Sequence, residues 1–128
     1  MKQPTPELRF FQEADGDTEV LDDRTIAVLG YGNLGRPLAV NLRDGSSARI
    51  IVGVEDDEGC QLAQSDGFPV SNIATAAKQA QILLLLVPDE VQPEVYRQLV
   101  AQHLSTNDAL VFASGFNLAF NSLPFAQA

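Results

Sequence analysis

The chain has little of several things, and each shortage narrows what it can be. Cys60 is its one cysteine, so no internal disulfide can form and no thiolate pair can hold a metal. Such sparing use of cysteine reads as a reducing cytoplasm. Its one histidine, His103, has no companion His or Cys and reads as a surface residue at the end of a polar helix. Basic residues are scarce. Eight Lys and Arg against 17 Asp and Glu leave a formal net charge of −9, which repels a phosphodiester backbone and argues against nucleic acid as a partner. No apolar run approaches the roughly 20 residues that span a bilayer, so no membrane partner is expected. Residues 1–23 carry no apolar stretch of the signal-peptide kind and are too acidic for a transit peptide.

What is present suits one packed domain: 128 residues, 45% of them hydrophobic. Residues 1–20 form an acidic arm in which Phe10 and Phe11 are the strong apolar anchors, able to pack one short segment on the domain. The domain itself is expected over 21–128. There, apolar runs at 25–29, 49–54, 68–70, 82–87 and 109–113 read as buried strands. Between them lie helical stripes: Leu34, Leu38 and Leu42; a weaker helix over 58–65; Ile73, Ala76, Ala77 and Ala80 behind a Ser71 cap; and Val91, Val95 and Leu99. Pro37 and Pro93 fall in first turns, where a missing N–H is tolerated. Strand and helix alternate. The pattern predicts an α/β, Rossmann-type doubly wound parallel sheet of about five strands in three layers (α/β/α), ordered 3-2-1-4-5. With no sixth strand to cover it, the fifth leaves an exposed edge that permits a homo-oligomer.

The chemistry concentrates in Gly30-Tyr31-Gly32-Asn33-Leu34-Gly35. A GxGxxG alone is weak, but this one follows a buried strand and opens an amphipathic helix. An acid, Glu55, stands twenty positions after Gly35. Gly30 permits the tight turn, Gly32 lets backbone approach a pyrophosphate, and Gly35 lets helix and sheet pack closely. The helix N-terminus then offers N–H groups and partial positive charge to the phosphates. Glu55 is placed to accept hydrogen bonds from ribose hydroxyls. With Asp56, Asp57 and Glu58 it makes an anionic cluster that repels a 2′-phosphate, which favours NAD over NADP. Asp89 and Gln92, after the fourth strand, face the glycine loop across the switch point. They can touch ribose or nicotinamide, or Asp89 can simply cap the next helix. Ser114 and Asn117, after the fifth strand, are candidates for substrate or carboxamide contacts, with a structural turn as the plainer reading. Cys60 has no neighbouring base or cation to make it a nucleophile.

From Ile26 to Phe120 the sequence resembles the N-terminal, cofactor-binding domain of ketol-acid reductoisomerase, the acetohydroxy-acid isomeroreductase of branched-chain amino-acid biosynthesis. The pieces that carry the resemblance are AVLGYGNLG, AVNLRDG, IIVGV, DGFPVSNIATAAKQAQILLLLVPDEVQPEVY and DALVFASGFNLAF. It implies that Tyr31 and Gly32 sit on the NADPH pyrophosphate and that Asp89, Glu90, Val91 and Gln92 form the cofactor-contacting stretch. Several positions depart from the family. Asn33 and Leu34 replace its usual Ser-Gln, Glu55 replaces a basic partner of the 2′-phosphate, and Glu58 replaces a phosphate-binding serine. Ser114 occupies the position of a catalytic histidine. The family's magnesium ions are held by a helical C-terminal domain that this sequence does not contain, so no metal is expected here. The resemblance thus implies an NAD(P)-binding domain of an oxidoreductase, not competent for catalysis alone and needing a separate catalytic domain or chain. Two other readings stay open: a stand-alone nucleotide-binding or sensing module, and a fragment of another NAD-dependent hydroxyacid dehydrogenase.

Overall fold

The computed structural model describes residues 7–120 and 123; the first six residues of the expected arm, and 121, 122 and 124–128 at the end of the expected domain, lie outside the described residues. Five strands form one parallel sheet: β1 (Thr25–Leu29), β2 (Arg49–Gly53), β3 (Val70–Ser71), β4 (Ile82–Leu85) and β5 (Ala109–Phe112). Their spatial order is β3-β2-β1-β4-β5, as the sequence pattern predicts. Every neighbouring pair is parallel, with Ala27 opposite Ile51 on one side and Leu83 on the other.

The helices are α1 (Gly35–Gly45), α2 (Asp57–Ser65), α3 (Ile73–Gln79), α4 (Gln92–Val95) and a short α5 (Phe116–Ala119). Helix α4 runs on through a π-helical stretch, Tyr96–Val100, and a 3-10 turn, Ala101–His103. Side chains alternate across the sheet, so each strand feeds two cores. On one face Ile26, Val28, Ile50, Val52 and Leu84 meet Tyr31, Ala39, Ala63 and Phe68. On the other, Ala27, Leu29, Ile51, Leu83 and Leu85 meet α3 and the π-helical stretch. Strands β1 and β4 are near-continuous apolar runs because both their faces are covered.

Several expected details differ, each for a local reason. On α1, Leu42 of the expected stripe packs partly buried against the core, but Leu34 is 54% exposed and Leu38 is exposed too, and Gly35 and Ala39 are the buried residues. The helix lies so close to β1 that only small residues fit beneath it. A Cβ on Gly35 would stand 1.9 Å from the Gly30 carbonyl oxygen. After β4 the fully buried residues are Gln92, Tyr96 and Val100; of the expected stripe, Val95 and Leu99 pack partly buried against the same core, while Val91 is exposed. Asn72, not Ser71, caps α3, its Oδ1 accepting from the Thr75 amide at 2.8 Å; Ser71 belongs to β3. β3 begins at Val70 because Phe68 turns into the core. Strand β4 ends at Leu85, although the Leu86 amide still donates to the Leu29 carbonyl at 2.9 Å. The arm makes two 3-10 turns, Glu13–Asp15 and Thr18–Leu21, and Phe10 and Phe11 remain exposed rather than packed on the domain.

Candidate functional site

Beyond the carboxyl ends of β1 and β4, where the strand order reverses, the structure opens a cleft of about 980 Å³. This is where an open α/β sheet takes its ligands. Gly30, Tyr31, Gly32, Asn33 and Leu34 form one wall, and Asp89, Gln92 and Ser114 stand in the others. Eight of the sequence-predicted site residues therefore meet in one place. Gly35 lies beneath the wall, and Glu55 lies outside the lining.

The three glycines answer three different demands. Gly30 has φ +103°, a conformation L side chains rarely adopt, and a Cβ there would sit 3.0 Å from the Leu86 backbone. Gly35 must be glycine because of the contact with the Gly30 carbonyl described above. Around Gly32, by contrast, nothing lies within 4 Å of where a Cβ would be. It keeps free the space that a ligand's phosphates would need. No side chain caps the first turn of α1, whose Ncap is Leu34. The loop and helix start thus fit a pyrophosphate by shape and by dipole.

At the far end, Asp56 and Glu58 line the cleft. Asp56 also caps α2, its Oδ2 accepting from the Gly59 amide at 2.6 Å. Glu55 points to α3 instead, where its Oε1 accepts from the Ile73 amide at 3.0 Å. Glu55 thus stands beside the cleft with Oε1 engaged at α3, and the acids that line the cleft are Asp56 and Glu58. Gln92 is only 2% exposed. Its Nε2 faces the Leu85 carbonyl at 3.4 Å, and its Oε1 accepts from Asn117 Nδ2 at 3.0 Å. Asn117 Nδ2 also reaches the Asp89 carbonyl at 3.1 Å. Gln92 and Asn117 thus lock the loop after β4 to the start of α5. Asp89 does not cap α4, whose Ncap is Val91 with no side-chain cap. Ser114 is exposed, with its Oγ accepting from the Phe116 amide at 3.3 Å.

Sequence reasoning missed one cluster. The Tyr31 hydroxyl donates to Asp66 Oδ2 at 2.5 Å, and Arg36 pairs with the same carboxylate through Nε at 2.9 Å and Nη2 at 3.1 Å. Burial first, then the Asp66 carboxylate, pushes the Tyr31 phenol up from 10.0 to about 12. The Arg36 hydrogen bonds, followed by the Tyr31 one, hold Asp66 below the usual carboxylate range. No spacing in the sequence links positions 31, 36 and 66. Only the return of the chain at the end of α2 does so.

A glycine cradle, an uncapped helix start and a switch-point cleft describe many dinucleotide sites; the family match is narrower. Residues 20–127 match the model of the NADPH-binding domain of acetohydroxy acid isomeroreductase. The chain belongs to that family. Among solved structures, the NADH-preferring ketol-acid reductoisomerase from an uncultured archaeon is similar, with 32% identity and a TM-score of 0.86. The match covers 93% of this chain and 38% of that one, so the chain spans well under half of that relative's length. Two further structures share the fold. A putative oxidoreductase from Jannaschia sp. CCS1 has 18% identity and a TM-score of 0.71, over 80% of this chain and 37% of that one. A putative D-3-phosphoglycerate dehydrogenase from Ralstonia solanacearum has 21% identity and 0.62, over 80% and 32%. As a member of the isomeroreductase family through its cofactor domain, the chain binds a nicotinamide dinucleotide. Among the described residues no group of three or more His, Cys, Asp or Glu comes together as a metal site, and no helix is long and apolar enough to cross a membrane.

Proposed function

We propose that this domain serves the cofactor half of a ketol-acid-reductoisomerase-type oxidoreductase, and that it takes NAD(H) in preference to NADP(H). The observation that carries the preference is the acidic end of the cleft. Asp56 and Glu58 line it, Glu55 adds its charge from behind, and the one cation among the described lining residues, Arg36, is already paired. A 2′-phosphate brought to that rim meets like charge with no free cation, whereas ribose hydroxyls can donate to carboxylates. The NADH preference of the archaeal reductoisomerase favours the same reading for this chain.

In this proposal the backbone from Gly30 to Gly35 and the start of α1 hold the pyrophosphate. Tyr31, buried and tied to Asp66, fixes the loop's shape. Asp89 and the Leu85–Pro88 backbone flank the other half of the cleft, and Gln92 and Asn117 brace that wall. When bound, the nicotinamide ring supplies or accepts the hydride. Ser114, at the family's histidine position, offers a hydroxyl and no imidazole to carry a proton near neutral pH. Substrate chemistry is accordingly assigned to a partner domain or chain. Paired fluorescence titrations with NADH and NADPH test the preference. Tighter NADH binding is expected; tighter NADPH binding would overturn it.

A further inference from the structure

Arg36 stands on the first turn of α1 beside the glycine loop, where a cation would ordinarily serve a phosphate. Its Nε–Nη2 edge is instead closed onto Asp66 in a two-point pair, the geometry that best fixes a guanidinium. The acid is the anchored partner. Its side chain is 18% exposed against 49% for Arg36. It also accepts from the Tyr31 hydroxyl, and its backbone carbonyl accepts from Arg43 Nη1 at 2.5 Å. Arg43 in turn lies over the Phe68 ring, 4.3 Å from its centroid.

We infer that Asp66 is a specificity-determining positioning residue: by engaging Arg36 it withholds the cleft's cation from a 2′-phosphate and keeps the site for the unphosphorylated dinucleotide. The inference rests on the preference proposed above and names the residue that enforces it. A guanidinium fits phosphate as well as carboxylate, and its long side chain lets it swing once released. Freed from Asp66, Arg36 turns to the acidic rim of the same cleft and offsets the repulsion from Asp56 and Glu58. Asp66 itself need touch no part of the cofactor.

The test is the ratio of NADPH to NADH affinity in the whole chain and in the variants Asp66→Asn, Arg36→Met and the two combined. Asparagine keeps an oxygen for the Tyr31 hydroxyl while removing the charge that holds Arg36. The ratio is expected to rise about fivefold in Asp66→Asn, the scale of one partly exposed ion pair. It should stay at the wild-type value in Arg36→Met and return to that value in the double variant. An unchanged ratio in Asp66→Asn would overturn the inference. So would a rise that persists in the double variant, because that rise would come from the lost acid alone. If Asp66→Asn does not fold, Arg36→Met still decides: a selective loss of NADPH affinity means that Arg36 already serves the phosphate. Each ratio is read against wild type. A wild type that prefers NADPH therefore counts against the proposed preference, while the variants still decide the role of Asp66.

Discussion

Gly32 and Gly35 look alike in the sequence but answer to different forces, and substitution separates them. Ala at position 35 drives a methyl group against the Gly30 carbonyl oxygen, a backbone atom that cannot step aside. Gly35→Ala is expected to cost roughly 3 kcal/mol or more, the upper range of overpacking, visible as a lowered thermal midpoint. Gly32→Ala meets only open space and should fold with near wild-type stability while losing dinucleotide affinity. A Gly32→Ala protein that binds normally would contradict the cradle. The Tyr31–Asp66–Arg36 cluster gives a pH signature. Asp66 titrates lower folded than unfolded, so its contribution is complete above the ordinary carboxylate range and fades as pH falls through the folded value. Tyr31 titrates higher when folded, so its contribution is complete below 10.0 and is lost as pH climbs toward about 12. A spectrophotometric titration should show Tyr31 ionising well above 10.0, and Asp66→Asn should bring it down while burial keeps it raised. A wild-type Tyr31 step at or below 10.0 would refute the cluster. The glycine loop could be read from sequence because its spacing reflects one local turn. The Asp66 cluster could not, since positions 31, 36 and 66 meet only in the tertiary fold.

At the scale of elements, strands were more legible than helix faces. Short apolar runs ending in Gly or Pro place β1, β2 and β4 directly, because both faces of a central strand must be apolar. Helix faces are less legible where small or polar residues carry the contact. Gly35 and Ala39 are buried because α1 approaches β1 closely, and no hydrophobicity scale ranks them above Leu34 and Leu38. Likewise Gln92, a polar residue, heads the buried stripe of Gln92, Tyr96 and Val100. Its burial is tolerated because both ends of its amide have partners. Gln92→Ala removes those partners and is expected to cost about 1–3 kcal/mol in urea unfolding, since Asn117 loses an acceptor inside the protein. A cost near zero would mean that the brace between β4 and α5 is dispensable. Leu85→Ala, from a fully buried position, should cost roughly 2–5 kcal/mol.

Across the whole molecule, the sheet order and the cleft follow from alternation and handedness, which is why they could be anticipated. Cofactor choice is less legible. Four successive acids from Glu55 to Glu58 signal an anionic end, but the sequence cannot say which of them faces the ligand. The fold assigns Glu55 to the N-terminus of α3 and leaves Asp56 and Glu58 at the cleft. The cleft is also open: Asn33, Leu34 and Ser114 are exposed to water, whereas the chemistry of this family calls for a closed pocket. The 128-residue chain by itself is therefore expected to form no product from acetolactate, magnesium and NADH or NADPH, and measurable turnover would contradict the assignment of chemistry to a partner domain or chain.

Amide-resolved NMR during an NADH titration is the direct test of a dinucleotide cradled by the loop from Gly30 to Gly35. Saturable shifts led by the amides of Gly32, Asn33 and Gly35 are expected, with smaller ones at Asp56 and Asp89. Saturable shifts that leave those loop amides unmoved, or no saturation at all, would contradict it.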